Sequence, residues 1–542
     1  MTTGGIFTLI TNDGKQDRML MASEFLKARL ARIQTERKAK GLEPTPTLVD
    51  IEKTHVLFMN AHFKPYAAIG FEYNKVKASA GSPALDSEVQ FSLPQFGDFF
   101  SDMVLHVRLP AVSATAANTW RWCAFPGEQL LSKVSFTVNG NPLDEYTSDD
   151  YAFYRKYELP VHQRDGYFRC VGQQLPRPAR LVPDIGSTLT TAGVGGYGTG
   201  VATSVADSVG MWVNVTDGYQ TTKTQTAHAS TADGYVRTDV LEVTVPLLFW
   251  FNMDPRLAIP SVAIPYGQRF ITVKFNALSY LAQGQVVSGA GGASSSDSTA
   301  ATLTLSSSSL QTCTLYVNNI FVNPEIHDIF IKRIGFNLIR VHRRQVARIQ
   351  EATTSELLLN NLKWPIEQIY FGLRPVAQST PAATNVFLDG WHMFSKQYDK
   401  VAGLTFDSGS TAVLHAAFAT HVPLLQQVGI RAHGIPIYSE IPAVMFNQYY
   451  PWAFGDKLNT CDDPGAYVIL FNLYPKVYQP SGHINLSRAR EFHIIFDDTT
   501  SSVNRQLGTA VDSSNPADLV VSATAINFLL IADGSAVLRY ST

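Results

Sequence analysis

Thirteen histidines, four cysteines and four adjacent pairs of acids are the side chains of this 542-residue chain whose types and spacing could do chemistry. A zinc centre needs His, Cys or carboxylate ligands at short, clustered spacings. No histidine stands in an H-x-E, H-E-x-x-H or H-x-H pattern, so the histidines are expected to be structural. Cys123, Cys170, Cys313 and Cys461 are far apart and include no C-x-x-C pair, which points to free thiols in a reducing compartment. The acid pairs are Asp144-Glu145, Asp149-Asp150, Asp462-Asp463 and Asp497-Asp498. A glycosidase needs two carboxyls facing across a cleft, which sequence neighbours on an extended chain do not supply. Asp462-Asp463-Pro464-Gly465 reads as a turn. Asp497-Asp498 lacks the surrounding oxygen ligands of a calcium loop. The chain contains no nucleophile elbow, P-loop or dinucleotide fingerprint, and Ser306–Ser309 is low complexity rather than a nucleophile. The expectation is a protein that is not an enzyme, with no catalytic, cofactor-binding or metal-binding residue.

Composition narrows the remaining classes. Charged residues make up 16% of the chain, against about a quarter in ordinary globular domains, while 45% are hydrophobic. Depletion of charge suits a surface that is buried against neighbours. A net charge of −2 argues against a genome-binding protein driven by counterion release. Asp13, Lys15, Asp17 and Arg18 interrupt any apolar signal core at the N-terminus. No apolar run approaches the ~20 residues of a membrane-spanning helix. The chain is therefore expected to be made in the cytosol, with the sequons at Asn214 and Asn485 unused.

Two pairs of segments recur along the chain. Phe249–Ile264 and Ile469–Ile484 share six of sixteen positions when shifted by 220 residues, which sets Asn252 against Asn472 and Pro260 against Pro480. Ordinary composition predicts about one match. Leu130–Leu143 and Leu424–Ile437 share five of fourteen at a shift of 294, each running from an alternating strand into a Gly-x-Pro turn. The landmarks keep their order, so the chain reads as two related domains. The 74-residue difference between the shifts assigns an insertion of that size to the first copy.

The elements that carry these residues can be read in outline. Met19–Lys40 is expected to be an amphipathic helix, with a stripe of Leu20, Phe25, Leu26, Leu30 and Ile33 opposite a basic face, stopped by Gly41, Pro44 and Pro46. Short β-rich runs follow, among them His55–Ala61, Glu88–Leu93, Met103–Leu109, Val134–Val138 and Leu241–Phe251. Tyr151–Tyr157 reads as a short capped helix after Ser148-Asp149-Asp150. The Gly, Ser and Thr-rich tracts at residues 186–233 and 283–309 read as loop insertions. Asn323-Pro324 is the expected domain boundary, with an N-terminal arm at residues 1–50, a first domain at 51–323 and a second at 324–542. Periodicity alone leaves jelly rolls and immunoglobulin-like sandwiches equally open. A glycan-binding or glycan-cleaving pair of β-sandwiches is the alternative from another functional class.

Longer runs carry a resemblance. GGIFTLITNDGKQD (Gly4–Asp17), NAHFKPY (Asn60–Tyr66), GFEYNKV (Gly70–Val76), GDFFSDMV (Gly97–Val104), VNGNPLDEY (Val138–Tyr146) and LAIPSVAIPYGQRFITVK (Leu257–Lys274) are among them. EIHDIFIKRIGFNLIRVH (Glu325–His342), LKWPIE (Leu362–Glu367), DDPGA (Asp462–Ala466), QPSGHINLSRAREF (Gln479–Phe492) and AINFLL…GSAVLRYST (Ala525–Thr542) continue it. The chain resembles the major capsid proteins of asfarvirus-like large DNA viruses. That resemblance implies an all-β double jelly roll of two eight-stranded units. It also implies a homotrimeric, pseudo-hexagonal capsomer that tiles an icosahedral shell around an inner membrane. The partners it implies are further copies of the chain, minor capsid and penton proteins, and a viral folding chaperone. The N-terminal arm would be the candidate contact with the inner membrane, assembly would take place in the host cytoplasm, and no direct genome binding is implied. The two loop tracts depart from the family pattern.

Overall fold

The computed structural model describes residues 69–114, 119–173, 225–226, 241–264, 268–286, 299–300, 303–322, 335–349, 356–379, 388–405, 413–455, 457–488, 491–498, 516–532 and 535–540, with isolated positions between 31 and 41. Alternation of apolar and polar residues builds its strands. In Phe99–Arg108, for example, Met103, Leu105 and Val107 point into the core while Val104, His106 and Arg108 point away from it.

The first half contains Ile69–Lys77 (β1), Glu88–Ser92 (β2), Phe99–Arg108 (β3), Leu131–Val138 (β4), Asn141–Thr147 (β5), Glu242–Pro246 (β6), Arg269–Phe275 (β7) and Thr312–Val322 (β8). They pair antiparallel in the orders β1-β8-β3-β6 and β2-β7-β4-β5. The second half contains Gly335–Ile349 (β9), Glu356–Leu358 (β10), Pro365–Pro375 (β11), Leu425–Ala432 (β12), Ile435–Pro442 (β13), Ala466–Leu470 (β14), Phe492–Asp498 (β15) and Ala517–Ala532 (β16). Their orders are β9-β16-β11-β14 and β10-β15-β12-β13, the same topology with every strand in the same place. In the first half the two sheets face each other across aromatic contacts, such as Phe100 edge-on to Phe136 at 6.3 Å. The buried apolar cluster runs without a break from the first half into the second.

The duplication is real, but one of its two landmarks is out of register. At the 294 shift, Asn139 (φ 52) and Gly140 (φ 80) correspond to His433 (φ 51) and Gly434 (φ 75). Both pairs occupy the left-handed positions of a tight hairpin turn, which starts the β4–β5 and β12–β13 hairpins in equivalent register over the three pairs nearest the turn. From that anchor, Ile271 pairs with Phe136 and Ile494 with Ile430, so β7 and β15 are related by 223 residues. Ile259 on the start of β3 and Ile484 on the start of β11 are related by 225. The expected 220 is therefore three to five residues short across a landmark that, in the first half, contains the helical turn Trp250–Met253. Asn252 lies in that turn and donates to Asp102 Oδ1 and Met103 O, at 3.2 and 2.8 Å. Asn472 stands two residues beyond β14, so the two asparagines are not equivalent.

The extra length of the first half falls between its helical segment and β6. There 83 residues (159–241) stand where the second half has 11 (455–465). Most of the 186–233 tract lies outside the described residues, but Gln225–Thr226 pairs with Thr119–Trp120. The 283–309 tract is not all loop. Ala282–Val286 pairs with Thr119–Trp122, and Leu303–Leu305 with Val112–Ala114. The second half has an addition of its own that the sequence reading missed, the long hairpin Ser395–Thr405 and Val413–Pro423. Of the expected N-terminal helix, Ala31, Gln34, Thr35, Lys38 and Ala39 are helical, and Gly41 ends it at φ 66. The rest of Met19–Lys40, the run His55–Ala61 and the Asn323-Pro324 boundary lie outside the described residues.

Candidate functional site

The acid pairs expected to be chemically idle converge on one surface, the seam between the two halves. Their position follows from a helical segment. After β5 the chain turns through a capping box, in which Asp150 Oδ2 accepts from Thr147 N at 2.8 Å, into helix α1 (Ser148–Phe153). The segment continues as a π-turn over Tyr154–Glu158. This first-half segment lies on the outer face of the second-half sheet. Strand β11 is consequently buried on both faces, with Ile369, Phe371 and Leu373 in the core and Gln368 and Tyr370 under the helix. Phe153 stacks on Phe394 with centroids 4.5 Å apart and on Tyr370 at 5.6 Å, and Tyr157 stacks on Tyr370 at 5.3 Å.

Ionic contacts surround these rings. The Asp149 carboxylate, 3% exposed as a residue, accepts from both Arg344 on β9 and Arg374 on β11. Burial opposes its ionisation, but the two guanidinium groups outweigh that and hold its pKa below the usual carboxylate range. Asp144 accepts from the His342 backbone at 2.9 Å and contacts His342 Nδ1 at 3.0 Å. Burial works against the imidazolium, yet the Asp144 charge raises the His342 pKa to about 9. Asp150 accepts from Ser522 on β16. Lys156 reaches across to Asp463 at 2.9 Å, and the same Asp463 oxygen accepts from Phe394 N at 2.8 Å. Burial disfavours both charges; their mutual attraction nevertheless raises Lys156 and lowers Asp463. Glu158 pairs with Lys476 at 2.5 Å and accepts from Tyr370 Oη at 2.8 Å.

Three of the four acid pairs therefore supply carboxylates that lock the halves together. Asp462-Asp463 does form a turn, in which Asp463 Oδ1 accepts from Gly465 N, but its second oxygen serves the seam. Asp497-Asp498 ends β15. Buried Glu128 pairs with Arg155 at 3.1 Å, and burial nonetheless pushes its pKa up. Cys123, Cys313 and Cys461 are buried and Cys170 is exposed, and none of the four is in a disulfide. Burial raises the Cys313 and Cys461 thiols to about 12, the state of inert structural cysteines. Among the described residues no group of three His, Cys, Asp or Glu side chains is placed to hold a metal ion. The seam is built for cohesion. Sequence reading missed it because the partners are joined across about 200 or more positions, with no local signal.

Comparisons with known proteins agree with this reading. A family model described as "Large eukaryotic DNA virus major capsid protein" matches residues 321–537, and one described as "Major capsid protein N-terminus" matches residues 196–323. The major capsid protein of African swine fever virus is 33% identical over the whole of both chains. The major capsid protein of Phaeocystis pouchetii virus is 22% identical, over 85% of this chain and 91% of its own. Among solved structures, the Faustovirus major capsid protein is 34% identical and superposes with a TM-score of 0.65, covering 96% of this chain and all of its own. The PBCV-1 capsid structure shares the fold at 16% identity, with a TM-score of 0.59 over 90% of this chain. Two sandwiches of one topology, locked face to helix by buried charges, thus belong to a chain that is a member of the major capsid proteins of large eukaryotic DNA viruses.

Proposed function

We propose that this capsid protein assembles as a homotrimer whose two halves act as six similar units, giving a pseudo-hexagonal capsomer that tiles an icosahedral shell. One observation carries this. The first half docks α1 and its π-turn on the outer sheet face of the second half, burying Phe153 and Tyr157. The second half has the same segment in the same place after its hairpin, a π-turn over Met445–Tyr449 and helix α2 (Tyr450–Phe454). Yet here Tyr449, Trp452 and Phe454 are 44, 76 and 45% exposed. On the first half, the edge strand β1 leaves Phe71 and Tyr73 66 and 56% exposed. Each chain thus has one such contact made and its counterpart open at both ends. Docking the open helix on the next copy's first half repeats the internal contact, and a head-to-tail ring of six like units closes at three chains.

Native mass measurement tests this. The expected particle has three times the 59.6 kDa chain mass, and Trp452→Asp shifts it to monomer. A wild-type chain that stays monomeric would overturn the proposal.

Residues 51–323 and 324–542 are the two units of this reading, with residues 1–50 as an arm toward the inner membrane. Neighbouring capsomers, minor capsid proteins, penton proteins and a viral folding chaperone are its proposed partners, with assembly in the host cytoplasm before residence in the virion. The protein acts by packing alone, without catalysis. The glycan-binding or glycan-cleaving alternative finds no support in the family, and a hydrolysis screen without product is the expected result. A chain this rich in long-range β pairing exposes sheet edges while it folds. Little soluble protein is therefore expected from expression without the helper.

A further inference from the structure

A cleft of about 490 Å³ opens where the β4–β5 hairpin of the first half meets β9 of the second. Lys133, His342, Arg343, Arg344 and Lys363 line it, with Glu145 as the only carboxylate among its lining residues. The nearby acids are already engaged. Glu145 pairs with Lys133 at 2.7 Å, Asp144 with His342, and Asp149 is shared between Arg344 and Arg374. Counting Arg374 and Asp150 behind the wall, six cations meet four carboxylates, an excess of about two positive charges. Arg343 has no ion pair among the described contacts. Its guanidinium lies 3.4 Å from the centre of the Trp364 ring, and its Nε is buried without a hydrogen-bond partner. Burial lowers its pKa, the mark of a cation short of solvation. Nε of Arg344 is likewise buried and unpartnered. Lys363 stands exposed at the rim.

A stacked arginine with an unused donor, beside lysines at the mouth of a concave site, is the arrangement that receives a phosphate-like oxyanion. The cleft has the size of a small-molecule site, and a chain of net charge −2 is poorly suited to holding an extended polyanion. We infer that this cleft binds a small, multiply charged phosphate, clamped between Arg343, Arg344 and Lys363, which bridges the two halves of the chain.

Calorimetric titration of the assembled full-length protein with tripolyphosphate tests the inference. One saturable site per chain is expected, with a matching rise in melting temperature. Lys363→Gln and Arg343→Gln should each weaken binding by about tenfold, the loss of one charged hydrogen bond. Lys363 is exposed, so its variant folds even if the Arg343 variant does not. Lys274→Gln, at an exposed lysine on β7, should leave the affinity unchanged. Absence of binding, or affinity insensitive to Lys363→Gln, or equal loss in Lys274→Gln, would overturn the inference. So would a single-stranded oligonucleotide that binds more tightly than tripolyphosphate through the same residues.

Discussion

Asp149 is the residue on which the union of the two halves depends most. Its carboxylate neutralises two guanidinium groups from two different strands of the other half. Removing one member of a buried ion pair leaves an uncompensated charge, at a typical loss of about 3–5 kcal/mol. Arg344 is about one-third exposed and can turn to water, while Arg374 is 11% exposed and cannot. Asp149→Asn should therefore fall near the lower end of that range, read as a lower denaturant midpoint. His342 gives the seam a pH dependence. Its folded pKa of about 9 lies above the ordinary 6.5. The stability it contributes is fully present below pH 6.5 and is lost as pH rises through about 9. Denaturation midpoints measured across that window should decline, and His342→Gln should flatten the decline. A slope unchanged in the variant would remove His342 from the account.

At the scale of elements, the two hairpins are the best-defined correspondence between the halves. Gly140 and Gly434 both adopt left-handed φ, and a Cβ at either would meet no heavy atom within 4 Å. Alanine there should lose only the conformational term, about 1 kcal/mol. Near-equal losses in Gly140→Ala and Gly434→Ala, measured separately by equilibrium unfolding, would show the two turns to be energetic as well as geometric copies. Gly465 behaves differently. A Cβ at this position would sit 2.0 Å from Phe394 O, an atom of the backbone that the Asp463 turn holds in place. Gly465→Ala should abolish recovery of folded protein, whereas the hairpin variants should not.

Across the whole molecule, cohesion between the halves decides how the chain unfolds. The apolar cluster is continuous from one half to the other, and the buried ion pairs of the seam have one partner in each. Calorimetry of the purified protein is expected to show one transition rather than two. Two well-separated transitions would mean that the halves are autonomous and the seam is secondary. In the proposed capsomer the same seam makes the halves similar units without making them identical. The first presents its helical segment inward to its own partner half, and the second presents the counterpart outward with Trp452 at its tip.

Much of this was legible in the sequence. The duplication, the all-β class and the 294-residue relation were readable because a tight hairpin turn constrains residue types locally, as Asn139-Gly140 and His433-Gly434 do. The resemblance to large-DNA-virus capsid proteins was carried by long contiguous runs and proved sound over the whole chain. The 220-residue relation misled because letters matched across an irregular connection do not fix the pairing of the strands on either side of it. The second role of the acid pairs was not legible for a deeper reason. Asp144, Asp149 and Asp463 look like turn and cap residues locally, and they are, but their second role depends on cations about 200 to 300 positions away. Sequence by itself determined the units and their repetition, since these follow from patterns within a strand or a turn. Only the tertiary structure decided how the units are joined, since a buried charge is defined by what closes over it.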